Sequence, residues 1–253
     1  MALELQDHEV KLLSHYRLSL STRDASESIK IADLLNESFL TQYLQEIQVK
    51  IGAPNIRVAA SIFFKRYAYL SVLYLLPITA WNKKLKLDFD KIFIQTNTND
   101  KHWFPTFYFQ KLEVEEALTN RIGWREVAIK ELFAAHIAPL INLTMKIAKV
   151  PQNVLLENIA VYLFWLYEVV LNQIEAEERV KEDFKYVMEE APGPLFGNFI
   201  DNPFQPFQQT KVYIGELDEW VRPRKTCCNS YLINQNSRRC KVCPPYCKNN
   251  CPI

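Results

Sequence analysis

Apolar positions recur at helical spacing through most of the chain. A first short helix is expected from about Glu9 to Tyr16. A second is clearer: Ile31, Leu35, Phe39, Tyr43, Ile47 and Ile51 return every four residues, with Leu34, Leu40 and Leu44 beside them. Gly52 and Pro54 end it. Residues 57–76, "RVAASIFFKRYAYLSVLYLL", are apolar nearly all round, which predicts a central buried helix. The period then shortens. "KLKLDFDKIFIQTN" alternates at Leu85, Leu87 and Phe89, and "HWFPTFYFQKLEV" is aromatic-rich, so this region predicts a hairpin or small antiparallel sheet. Pro105 places the second strand at an edge or a bulge. Helical patterning resumes over about 122–148 and 152–190. The latter ends in "EAEERVKEDFKYVMEE", expected to be a solvated, ion-paired face.

From Ala191 the pattern dissolves. Eight of the 13 prolines lie in the last 63 residues, and the aromatic content of "PLFGNFIDNPFQPF" predicts ordered loop packed on the body. The expected class is α+β, mainly helical: a helical body with a small sheet over residues 1–190, then a loop-rich segment, 191–253, bearing a cysteine module.

Charge narrows the possibilities. Thirty Lys and Arg face 29 Asp and Glu, so no chain-wide basic field for nucleic acid exists. Glu4, Asp7, Glu9 and Lys11 interrupt any signal-peptide core. The apolar stretches "YAYLSVLYLLPITAW" and "IAVYLFWLYEVVLNQI" fall short of the roughly 18 residues that span a bilayer. The expected location is cytoplasmic, where disulfides rarely persist and clustered cysteines argue for metal or redox chemistry.

All six cysteines fall within "TCCNSYLINQNSRRCKVCPPYCKNNCPI". Cys240 and Cys243 form a chelating turn that suits zinc and iron–sulfur clusters alike. The adjacent pair Cys227–Cys228 discriminates between them, because consecutive side chains diverge and fit one tetrahedral zinc poorly. Four thiolates from the two pairs match a [2Fe–2S] centre, two per iron. Gly-rich nucleotide fingerprints and nucleophile elbows are absent from the sequence, which predicts neither NAD nor flavin and an electron delivered by a separate carrier.

The run "RKTCCNSYLINQNSRRCKVCP" resembles the C-terminal signature of the FhuF-like ferric siderophore reductases, through Arg224, Cys227, Cys228, Tyr231, Cys240, Cys243 and Pro244. More loosely, "RVAASIFFKRYAYLSVLYLL" and "LFAAHIAPLINL" are similar to helical segments that family shares with siderophore synthetases. The resemblance implies a [2Fe–2S] cofactor on Cys227, Cys228, Cys240 and Cys243. It also implies a ferric siderophore of hydroxamate or citrate type as substrate, a reduced electron-donor protein as partner, and at most peripheral contact with the inner membrane or uptake system. Two departures stand out. Eleven residues separate Cys228 from Cys240, one more than the family's usual spacer, and Cys247 and Cys251 lie beyond the motif. Those two are spare thiols, a surface disulfide, or, with Cys243, ligands of a [4Fe–4S] cluster.

The chemistry implied is simple. Hard oxygen donors hold Fe(III) far more tightly than Fe(II), so one electron makes the complex labile. Arg224, Lys225, Arg238 and Arg239 are the expected substrate-binding residues, with neutralisation of an anionic cluster as their other reading. His136, on an apolar helix, is expected to be a satisfied core residue. Two rival functions remain: a zinc-stabilised interaction or regulatory module, and a synthetase-related siderophore binder whose cluster senses iron.

Overall fold

The computed structural model describes residues 3–22, 25–97, 99–100, 102–117, 119–174, 176–233, 239–245 and 247. The chain is α+β and mainly helical. Its helices are α1 (Asp7–His15), α2 (Glu37–Lys50), α3 (Ile56–Tyr67), α4 (Tyr69–Trp81), α5 (Arg121–Ile129), α6 (Ala138–Ala148), α7 (Gln152–Trp165) and α8 (Glu177–Lys185). A π-helical stretch, Lys130–Ile137, joins α5 to α6 without a break. It ends just before Ala138–Pro139, where Pro139 offers no N–H to the preceding turn and its ring needs room.

Several expected helices are divided. Ile31–Leu35 is a separate 3-10 turn, because the extended Asn36 caps α2 by accepting from the Phe39 N–H at 3.0 Å. The apolar run over 57–76 bends at Ala68 into α3 and α4. The 152–190 run breaks at Ile174–Ala176, so that α8 folds back on α4. Part of its charged stretch then faces inward rather than solvent. Asp183 is 1% exposed and accepts from Thr79 at 2.8 Å, Arg121 at 2.6 Å and Arg125 at 2.6 Å. Arg179 donates to the Thr79 and Ala80 carbonyls at the end of α4.

The strands form two sheets on the body rather than one hairpin. β1 (Leu3–Glu4), β7 (Glu113–Glu116) and β4 (Lys83–Leu85) make an antiparallel sheet in the order β1-β7-β4. β2 (Leu18–Ser19), β6 (Thr106–Phe109), β5 (Ile92–Thr96) and β3 (Glu27–Lys30) make the second, with Ile94 opposite Phe107. The alternation stops at Leu85, since Asp88 caps a 3-10 turn over Phe89–Lys91. Pro105 precedes β6, which is an inner strand and not an edge. Its missing N–H therefore costs no ladder bond.

Ala191, Phe196, Phe204 and Phe207 are buried in the main core, with Phe133 ringed by Phe196 and Phe204 at 5.3 and 5.5 Å. A second, small cluster forms where β8 (Val212–Ile214) pairs with β9 (Glu219–Val221): Ile214, Val221 and Cys247 pack together. The helical runs Arg121–Ala148 and Gln152–Gln173 are 28 and 22 residues long. By length and composition both suffice to cross a membrane, yet 56% and 72% of their apolar windows are buried in the protein.

His136 is fully buried, stacked on Phe89 at 4.4 Å and hydrogen-bonded through Nε2 to the Tyr67 hydroxyl; Nδ1 has no partner. Burial pushes its pKa down to about 4. The unfolded chain therefore binds an extra proton between the ordinary value and about 4. His136 contributes stability above pH ~6.5 that is withdrawn as pH falls through this window, by up to about 3 kcal/mol. Urea midpoints measured from pH 7 to 4 should fall less steeply for His136→Gln than for the parent. Parallel profiles would refute the assignment.

Candidate metal centre

The cysteine segment is fastened to the body by buried polar groups on α3 and α7. On α7, the adjacent polar residues Glu157 and Asn158 interrupt an apolar sequence, and both are buried, at 2% and 0% exposure. Glu157 accepts from the Lys225 and Thr226 N–H groups, each at 2.7 Å, and from the Thr226 hydroxyl. Its carboxylate also lies 3.5 Å from Arg224 Nε. Asn158 accepts from Arg224 at 2.8 Å and donates to Ser61 on α3, whose hydroxyl in turn donates to the Cys228 carbonyl at 2.8 Å. Every link is charged or hydrogen-bonded at both ends, which is what allows such groups to be buried.

This network brings the two halves of the motif together. Arg224 N–H donates to the Val242 carbonyl at 2.9 Å, tying the Cys227–Cys228 strand to the Cys240–Cys243 turn. Within that turn Cys243 N–H donates to Cys240 O at 2.9 Å. After Cys228 the chain reverses at Asn229, left-handed at φ 59°, a conformation that asparagine tolerates.

The four thiols form one group: Cys227 is within electrostatic reach of Cys228 and Cys243, and so is Cys240. A hydrogen bond from Cys240, with the charges of Lys65 and Arg224 nearby, holds the Cys228 thiol well below the usual range. Donating that bond pushes Cys240 up. Burial raises Cys227. Lys65 Nζ lies 3.7 Å from Cys228 Sγ and Arg239 Nη1 3.8 Å from Cys243 Sγ, so cationic groups approach from both sides. Among the described residues no three or more His, Cys, Asp or Glu side chains converge as a site for a single metal ion, and no disulfide joins the cysteines.

The expected substrate residues are dispersed. Arg224 is 5% exposed and committed to Glu157 and Asn158, so it anchors the loop instead of facing substrate. Lys225 is exposed, and only its backbone is fixed. Arg239 is exposed, 4.2 Å over the Tyr231 ring. Arg238 and Cys251 lie outside the described residues. Cys247 is buried in the small cluster, its thiol donating to the Lys241 carbonyl at 3.3 Å. Sequence reasoning missed Ser61, Lys65, Glu157 and Asn158. Their one signal is polarity at positions where the helical pattern demands apolar side chains.

No protein-family model matches the chain, and no curated protein matches it.

Proposed function

We propose that this protein is a ferric-siderophore reductase, with Cys227, Cys228, Cys240 and Cys243 holding a [2Fe–2S] cluster. One observation carries the reading: the adjacent pair Cys227–Cys228 and the Cys240–Cys243 turn, distant in sequence, are tied side by side by the Arg224 N–H on the Val242 carbonyl, on a loop anchored by Glu157 and Asn158. Adjacent thiolates spread over two irons more readily than they converge on a single zinc. When bound, the cluster supplies one transferable electron.

The chain's own residues do the rest. Lys65, Arg224 and Arg239 offset the negative charge that four thiolates bring, and the first two act in a partly desolvated setting where their charge counts for more. Ser61, Asn158 and Glu157 fix the loop, so that little rearrangement accompanies a change of charge. Cys228 and Cys243 are buried, while Cys227 and Cys240 are partly exposed, leaving an approach for a donor or an acceptor. An electron from a reduced carrier protein converts chelated Fe(III) to Fe(II), which its oxygen ligands hold weakly. The reaction belongs in the cytoplasm, after uptake.

The test is elemental analysis of protein purified without oxygen. About two iron and two acid-labile sulfide per chain are expected, with visible absorption that bleaches on reduction. One zinc per chain without sulfide would reject the reductase and favour a zinc-stabilised module. Four iron and four sulfide would bring Cys247 or Cys251 into the ligand set.

A further inference from the structure

Beside Cys228 the body carries cations that no carboxylate neutralises. Arg66, on α3 next to Lys65, is only 8% exposed, and its guanidinium donates to the Trp103 carbonyl at 2.9 Å and to that of His102. Burial brings its pKa down to about 10. Arg17 donates to the Pro105 carbonyl at 3.3 Å. Among the described residues neither they nor Lys65 form an ion pair; the nearest acidic influence on Arg66 is Asp100, whose carboxylate is already bonded to the backbone N–H groups of His102 and Phe104. A buried charge held by neutral carbonyls is costly unless an anion completes it.

Aromatic faces bind these cations into one surface. Arg17 lies 4.6 Å over the Tyr69 ring and 5.0 Å over Phe104, and Arg66 lies 4.6 Å over Phe104. Tyr69 meets Tyr162 at 4.8 Å, and Tyr162 is within electrostatic reach of Arg17, Arg66 and Cys228 together. Lys65, next to Arg66 on α3, reaches the Cys228 sulfur at 3.7 Å. The half-exposed Phe104 also lines a cleft of about 440 Å³, together with Asp100 and Thr106. Arg17 and Trp103 adopt left-handed conformations at φ 75° and 51°.

We infer that Lys65, Arg66, Arg17, Tyr69, Tyr162 and Phe104 form the substrate platform, and that it selects an anionic ferric chelate bearing free carboxylates, of the citrate type, over neutral or cationic trihydroxamates. The inference rests on the reductase reading for its function but not for its test. The cations supply charge-assisted hydrogen bonds to carboxylate oxygens, and the rings cover the apolar arms of the chelate.

Gallium(III) citrate is the probe, because gallium(III) mimics the charge and ligand preference of iron(III) yet accepts no electron under these conditions. Binding to the full chain is read by calorimetry and by the fluorescence of Trp165, which packs 6.0 Å from Tyr69. Lys65→Gln and Arg17→Gln should each weaken binding about 10-fold, and 1 M salt should weaken it further. Lys181→Gln, at an exposed α8 residue paired with Glu177, should leave it unchanged. On the unaltered protein, gallium(III) citrate should bind at least 10-fold more tightly than a gallium(III) trihydroxamate, a comparison that needs no variant to fold. Equal affinity for the two chelates, or a loss with Lys181→Gln as large as with Lys65→Gln, would overturn the proposal. Failure to find iron and sulfide would sink the reductase and leave this binding result standing.

Discussion

Cys240→Ser and Cys228→Ser are expected to strip the visible absorption from anaerobically purified protein, leaving at most a small residue of bound iron, while the far-UV circular dichroism stays near that of the parent. The first half follows from the ligand count, since either change removes one of the two thiolates on one iron. The second follows from packing. The main core is built from the helices, the inner faces of the sheets and the aromatic loop through Phe207, and the paired cysteines contribute nothing to it. Cys247→Ser should behave differently. It removes a buried thiol from the small cluster with Ile214 and Val221, so the β8–β9 unit should loosen while the visible spectrum persists. Equal loss of absorption in Cys247→Ser and Cys240→Ser would show that the four-ligand assignment is mistaken.

Glu157→Ala should be the most damaging change on the body side of the site. It deletes the acceptor of two backbone N–H groups and a hydroxyl, and it leaves Arg224 buried with only Asn158 for a partner. Removing one member of a buried ion pair costs about 3–5 kcal/mol, most of it the penalty of the charge left behind. The urea midpoint should drop accordingly, and proteolysis should begin near Arg224–Cys228. Glu157→Gln combined with Arg224→Met, which removes both charges and keeps one acceptor, should recover a large part of the loss. If Glu157→Ala unfolds at the parent midpoint, the network does not hold the loop as described.

Local chemistry along the chain determined the helical class, the approximate span of α2 and of the α5–α6 run, and the hairpin of β5 and β6. These features depend on neighbours three, four or two residues apart, and such periods are visible in any linear reading. Where helices end was less legible. Asn36, Ala68 and Ile174–Ala176 interrupt runs whose apolar pattern continues across the break, because caps and bends answer to what packs against them in three dimensions.

Only the tertiary structure decided which charges are buried. In the sequence Arg224 is one more member of a basic segment, and Asp183 and Arg179 belong to a solvated charged run. In the fold α7 lies beneath Arg224, and α4 and α5 close over Asp183, so these groups become anchors. The reverse holds for Lys65, Arg66 and Arg17. Two of them lie in a helix that reads as core and the third follows a short N-terminal helix, yet folding sets Lys65 against Cys228 and brings Arg17 and Arg66 to the Tyr69 and Phe104 rings. A charge takes its role from its desolvation and its partners. Both are set by segments far away along the chain, from 37 residues for Arg66 and Trp103 to 163 for Lys65 and Cys228, separations over which sequence pattern carries no information about contact.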